Sequence, residues 1–337
     1  MLYNHYVEVF MQTEVGTVTL GKVMRAIGSA LLYFWIYYAF NMAVVLGSAF
    51  VVAFNVVMTP ETVETIRSIG NMSKPDAEIM ASNLMSELTE VTAAAYLEFV
   101  TKYAIELTIL AGVLAIAAYM IIFAIRKKSF RDKIGLHKIS PVNGVAMLLF
   151  GGCLNVFIST LLSFIPLPES WVSGYIETTD TLIGQPGILT LIMVGILAPI
   201  IEEVVFRGMC YGSLKKGVPM LAAMILSSWG FGMMHIGVLW VIYTTAVGLI
   251  FVWCYEKHRS IVAPILVHVG FNLMGQAVGL LPELSGSAYA AMLAASGLAC
   301  AVIVMYVMKT SKYKIEYAMS SETTGHNGAE NNNQGEQ

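Results

Sequence analysis

Two adjacent carboxylates, Glu202 and Glu203, close a run of about twenty uncharged residues, and Arg207 follows four positions after Glu203. Two imidazoles interrupt apolar stretches further along: His235 comes four residues after Phe231, and His268 four residues before Asn272. Ionisable groups are costly in hydrocarbon, so groups placed there point to function. On an α-helix, residues four apart share a face. This aligns Phe231 with His235, His268 with Asn272, and Glu203 with Arg207, whereas Glu202 is turned about 100° from Glu203. One carboxylate has a cation partner in its own helix; the other does not.

That asymmetry predicts a division of labour. Glu203 and Arg207, with Phe231, would support the site, and Glu202 would face a cavity where His235 and His268 can meet it. A carboxylate, two imidazoles and an amide converging in a shielded space suit hydrolysis of a peptide bond. Glu202 would take a proton from water, His235 would position that water and shuttle the proton, and His268 with Asn272 would hold the oxyanion. Glu202, His235 and His268 also match the two-histidine, one-carboxylate ligand set of catalytic zinc sites. The sequence lacks H-E-x-x-H, so metal-free glutamate catalysis and zinc-dependent hydrolysis both stay open. The other histidines, His5, His137, His258 and His326, lie in polar or loop contexts and need no special role.

The elements that must carry these groups follow from composition. Of 337 residues, 57% are apolar and only 12% charged, with mean hydropathy +0.71. A soluble domain of this size needs about 25% charged residues, so most of the surface must face lipid. The expected fold is an all-α polytopic membrane bundle of about eight spans, with an intramembrane catalytic cavity. No basic domain is left over for nucleic acid; the expected partners are the bilayer and a peptide or protein substrate within it. Cys153, Cys210, Cys254 and Cys300 lie far apart in or beside apolar runs, without C-x-x-C spacing, and fit packing rather than a disulfide framework or a cysteine metal site.

The eight spans are expected at 26–58, 107–125, within 139–168, from 181 through the glutamate pair, two within the uncharged run 217–255 broken near 235–237, then 260–282 and 287–308. The chain accordingly divides into an amino-terminal segment 1–25, accessory helices over 26–180, catalytic helices over 181–308, and a polar tail over 309–337 expected to be disordered. An acidic stretch, 59–106, has helical apolar spacing at Met80, Leu84, Leu88, Val91 and Ala95 and is expected as an amphipathic helix lying on the membrane or the bundle, outside the cytoplasm. With both termini inside, sixteen of the nineteen basic residues fall on the cytoplasmic side, leaving only Arg67, Lys74 and Lys102 outside. No internal repeat is evident, which counts against a transporter built from duplicated halves.

One requirement is awkward. At about 1.5 Å per residue, Glu202 lies about 15 Å below a helix end near Gly212, His268 about 12 Å below Ser260, but His235 about 27 Å from Gly217. For the three to meet, the fifth helix must tilt, start above the lipid, or be shorter than the apolar run.

The order E-E-x-x-x-R (Glu202, Glu203, Arg207), F-x-x-x-H (Phe231, His235) and H-x-x-x-N (His268, Asn272) on successive apolar helices resembles the CPBP family of CAAX proteases and bacteriocin-processing membrane proteins, also called Abi, which includes the type II CAAX prenyl endopeptidases. Each motif alone is weak; three in this order are specific. The resemblance covers about residues 187–275 and implies an eight-helix bundle with a conical cavity. In it, the residues matching Glu202 and His235 activate water, and those matching His268 and Asn272 stabilise the oxyanion. It also carries the same choice between metalloprotease and glutamate-dependent chemistry, with no assigned cofactor and zinc as the alternative. The function expected is an intramembrane endopeptidase acting on a membrane-associated or lipidated peptide. The alternative is a non-catalytic bacteriocin-immunity or scaffold membrane protein.

Overall fold

The computed structural model describes residues 19–183, 187–279 and 285–311. Most of the amino-terminal segment and nearly all of the expected polar tail, with His5 and His326, lie outside them. Eleven helices follow in order within the described residues: α1 Leu20–Val57, α2 Pro60–Ile69, α3 Lys74–Ile125, α4 Phe130–Ile134, α5 Pro141–Ser163, α6 Glu169–Ile183, α7 Ile188–Leu214, α8 Met220–Gly232, α9 Val238–His258, α10 Val262–Val278 and α11 Gly286–Thr310. Six of them, α1, α3, α5, α7, α9 and α11, are long and apolar enough to cross a membrane, and α8 and α10 are shorter apolar helices. The fold is an all-α polytopic membrane bundle.

The expected spans sit where the hydropathy put them, and the departures have simple causes. The acidic stretch begins with the separate helix α2, but from Lys74 on α3 carries it into the second span as one 52-residue helix, bent at Tyr103 (φ −117°, ψ 16°). Between Asp76 and Gly112 there is no glycine or proline, and the stretch is rich in Ala, Leu, Met and Glu, so nothing stops the helix. At about 1.5 Å per residue it is about 78 Å long, far beyond a hydrocarbon core of about 30 Å. It packs along α1, with the Tyr96 hydroxyl donating to the Val45 carbonyl at 3.4 Å. Helix α6, in a stretch read from sequence as connection, packs on α9 through Tyr175, whose ring lies 5.6 Å from Trp240 and 6.1 Å from Tyr243. Arg207 is wholly buried, so it is not a loop charge of the kind that sets orientation.

The core of the bundle is built by close backbone approach. Helices α5 and α10 form its most extensively packed pair. A Cβ on Gly151 would run into the Val267 carbonyl, and one on Gly270 into the Leu148 carbonyl. Small residues at such crossings let membrane helices touch where no hydrophobic driving force holds them together. The same contact fixes α10, and therefore His268, against the rest of the bundle.

Helix α7 is irregular where it matters most. Two π-helical stretches, Met193–Leu197 and Val204–Tyr211, flank the turn that carries the glutamates. Pro199 has no N–H to give to Gly195, and its ring crowds that carbonyl. The backbone answers with a wider turn, in which Ala198 N–H donates to Met193, five residues back. In the second stretch carbonyls are also met by side chains: Ser227 Oγ donates to Phe206 at 2.9 Å, Ser213 Oγ to Met209 at 2.6 Å, and Lys133 Nζ to Met209 at 3.2 Å. All eight residues of this second stretch are buried.

Candidate active site

Glu203 and Arg207 are both fully buried, and Arg207 Nη1 donates to Glu203 Oε1 at 2.8 Å. The guanidinium has partners beyond the carboxylate. Its Nη2 donates to the Gly248 carbonyl at 3.0 Å, and its carbon lies 4.5 Å from the Phe231 ring centre and 5.3 Å from that of Phe251. A Cβ on Gly248 would stand 3.1 Å from Nη2 and from Ser228 Cβ, so glycine there gives the cation its room. A buried pair costs less the more of its remaining donors and acceptors are met. Here a carbonyl and two aromatic faces supplement the carboxylate.

The same Glu203 oxygen also meets His268, whose Nδ1 lies 3.0 Å away. A carboxylate only accepts, so Nδ1 carries the proton and the ring is locked with Nε2 on its free edge. The Phe251 ring lies tilted beside the imidazole at 4.7 Å and Phe231 meets it edge-on at 5.8 Å. Nε2 then faces Glu202 Oε2 at 3.6 Å, a separation suited to a bridging water or a small rearrangement. The Glu202 side chain keeps 22% of its exposure where Glu203 keeps none. The expected asymmetry is therefore present in the geometry, with an addition: Glu203 orients His268 as well as pairing with Arg207.

His235 does not sit on the helix with Phe231. Helix α8 ends at Gly232 after only 13 residues, about 20 Å, and His235 lies in the following turn. The fifth helix is thus shorter than the apolar run, one of the three ways in which His235 could come to the other two groups. Gly237, the next helix's N-cap, has φ +96°, a backbone conformation that glycine adopts readily. His235 still meets Phe231: its Nδ1 is 3.1 Å from the Phe231 carbonyl and the rings are 5.0 Å apart. Glu202 and His268 both lie within electrostatic range of it. Asn272, one turn beyond His268 on α10, donates to the Val194 carbonyl at 2.9 Å, inside the first π-helical stretch. One of its two N–H groups thus anchors α10 to α7.

Several neighbours of the site carry no motif in the sequence. Tyr37 of α1 lies within electrostatic range of Glu202 and packs on Phe206 at 6.4 Å. Gly248 and Phe251 meet the guanidinium without belonging to any motif. Ser228 Oγ, Arg207 Nε and Glu203 Oε2 are buried without a protein partner. Among the described residues, no group of three or more His, Cys, Asp or Glu is disposed to hold a metal ion. As placed, Glu202, His235 and His268 do not form such a group, and with Nδ1 on Glu203 it is Nε2 of His268 that remains for a ligand.

Fold and site together define a membrane bundle with a carboxylate–imidazole centre buried among its helices. Residues 184–274 match the family described as type II CAAX prenyl endopeptidase Rce1-like, nearly the interval over which the motifs showed the resemblance. Two curated relatives match the chain. One, the "Putative membrane peptidase YdiL" of Bacillus subtilis (strain 168), is 32% identical over 84 residues, which is 25% of this chain and 34% of that protein. The other, the "UPF0177 protein YxdF" of Lactococcus lactis subsp. lactis (strain IL1403), is 31% identical over 104 residues, 29% of this chain and 57% of that protein. The chain thus spans about a third of the first relative and somewhat over half of the second. No solved structure matches it.

Proposed function

We propose that the chain is an intramembrane endopeptidase that hydrolyses a peptide bond in a membrane-associated or lipidated peptide or protein, using a water activated by Glu202. The observation that carries this reading is His268 held between two carboxylates, Nδ1 on Glu203 at 3.0 Å and Nε2 facing Glu202 at 3.6 Å. Glu202 takes a proton from water and the resulting hydroxide attacks the carbonyl carbon. The proton is close enough to Nε2 to pass to it. Nε2–H and the second N–H of Asn272 then stabilise the oxyanion, while His235 positions the water and relays that same proton from Nε2 to the leaving amine as the C–N bond breaks. The similarity of residues 184–274 to the CAAX-type peptidases supports the same assignment.

Both termini are proposed to face the cytoplasm. Lys22, Arg25, Arg126, Lys128, Lys133 and Lys216 come together at one end of the bundle, as the positive-inside bias requires.

A peptide-release assay on the purified protein, comparing wild type with Glu202→Gln, tests the reading. General-base catalysis contributes about 10²–10⁴-fold, and a loss of that size with unchanged folding is expected. Release at the wild-type rate by Glu202→Gln refutes catalysis at this centre and leaves the scaffold or immunity alternative. Metal analysis, with the same assay run in a strong chelator, separates glutamate from zinc chemistry.

A further inference from the structure

A cavity of about 540 Å³ opens where α1 begins and α3 ends. Lys22, Arg25, Arg126, Lys128, Lys133 and Lys216 line it, and Asp132 supplies the one carboxylate in its wall. Among the described residues none of these six cations forms an ion pair. The chain does pair its basic residues a short distance away, where Lys215 and Arg259 both meet Glu256 at 2.8 and 3.3 Å. Six cations without an ion-pair partner among the described residues face one concave space and repel one another, and concave low-dielectric walls focus their field.

The backbone is shaped to produce this arrangement. Lys127 adopts φ +51°, a left-handed conformation uncommon for a residue with a side chain. That turn brings Arg126 and Lys128, on either side of it, into the cavity wall together. Lys133 lies at the inner end. Its Nζ donates to Ser213 Oγ at 2.7 Å and to the Met209 carbonyl at 3.2 Å, and stands 5.4 Å from the Tyr33 ring centre. Burial, reinforced by Lys216 and Lys215, pushes its ammonium down to about 7. An anion in the cavity would relieve that penalty.

We propose that this cavity binds the phosphate of an anionic phospholipid headgroup. It lies at the ends of two membrane-crossing helices, which is headgroup depth, and its wall includes the apolar Ala26 and Phe123 beside the cations. A site facing bulk water alone has no need of that apolar wall. Basic pockets between membrane helices are suited to such headgroups. The site is separate from the glutamate–histidine centre and does not depend on peptidase activity.

The test uses the full-length protein in detergent. Thermal midpoint and lipid retention by native mass spectrometry are measured with added phosphatidylglycerol, with phosphatidylcholine, and with inorganic phosphate. Phosphatidylglycerol is expected to raise the midpoint and be retained, and phosphatidylcholine to do neither. Because each surface cation contributes about 1 kcal/mol to anionic-lipid binding, the double variant Arg126→Gln/Lys128→Gln should weaken retention about 30-fold. Arg67→Gln, which removes one charge elsewhere, should leave it unchanged. Indifference to phosphatidylglycerol, or wild-type retention by the double variant, overturns the site. Protection by inorganic phosphate with none added by the lipid overturns the lipid assignment and makes the occupant soluble phosphate.

Discussion

The bundle buries two glutamates with cationic partners, and they are not equivalent. Glu256, near the end of α9, is 2% exposed. Its Oε1 takes Lys215 Nζ at 2.8 Å and the Tyr211 hydroxyl at 2.9 Å, and its Oε2 lies 3.3 Å from Arg259 Nη1. Both oxygens are occupied, and the cations reach solvent with 27% and 43% of their side-chain exposure. Glu203 is wholly buried with a wholly buried arginine. It spends one oxygen on two partners, leaves the other without one, and uses a histidine to reach a second, partly exposed carboxylate. The first arrangement is closed, a clamp between α7 and α9. The second transmits orientation from a buried cation through an imidazole to a group that can meet substrate. Burial of charge alone does not separate a brace from a reacting centre; the presence of a titratable neighbour with a free edge does.

The largest expected effect tests the Glu203 side. Arg207→Met removes a cation that cannot be replaced by water from the lipid side, leaving Glu203 uncompensated. Breaking a buried pair in this way costs about 3–5 kcal/mol. We expect a large fall in thermal midpoint in detergent, together with loss of peptide release. Glu202→Gln should instead lose release while keeping its midpoint. If both variants unfold alike, Glu202 belongs to the brace and the distinction between the two carboxylates fails.

A smaller effect tests the other side. Glu256→Gln keeps the shape but removes the charge; Lys215 and Arg259 can turn to water, so the cost is about 1–3 kcal/mol. Peptide release per folded molecule should stay at the wild-type level. Abolished release with an unchanged midpoint would place Glu256 in the reaction and dissolve the comparison.

How much of this was legible in the sequence follows from what each signal measures. Hydropathy runs locate the spans because lipid imposes one requirement over about twenty residues at a time. Helical spacing reveals Glu203 with Arg207, because that contact is local. It is silent about Glu203 with His268, separated by 65 positions, and about Arg207 with Gly248, separated by 41, since such contacts depend on how helices are placed. The uncharged run 217–255 parts at 233–237, close to where the sequence placed the break, and α8 stops at Gly232, where a Cβ would run into Thr245 Oγ1 of α9. Conversely α3 continues through an acidic stretch because polarity is no barrier to a helix when good helix formers follow one another. The cationic cavity was visible only as scattered positive residues; its concavity is a property of α1, α3 and α4 together.

The last and smallest test uses a buried cation with no carboxylate, to show what the pairing at Glu203 and Glu256 supplies. Lys133 is half-buried against the second π-helical stretch, and its ammonium is pushed down to about 7 from an ordinary 10.5, first by burial and then by Lys216. In the unfolded chain the lysine keeps its proton up to the ordinary value, so between these limits the unfolded state binds more protons than the folded one. Stability must therefore rise with pH over that window, and the penalty is fully present below about 7. Lys133→Met, close in shape and without charge, removes this slope, so the difference in thermal midpoint between variant and wild type should shrink as pH rises from neutrality toward 10. A difference independent of pH would mean that Lys133 titrates normally and that the cluster of cations around it carries no electrostatic penalty.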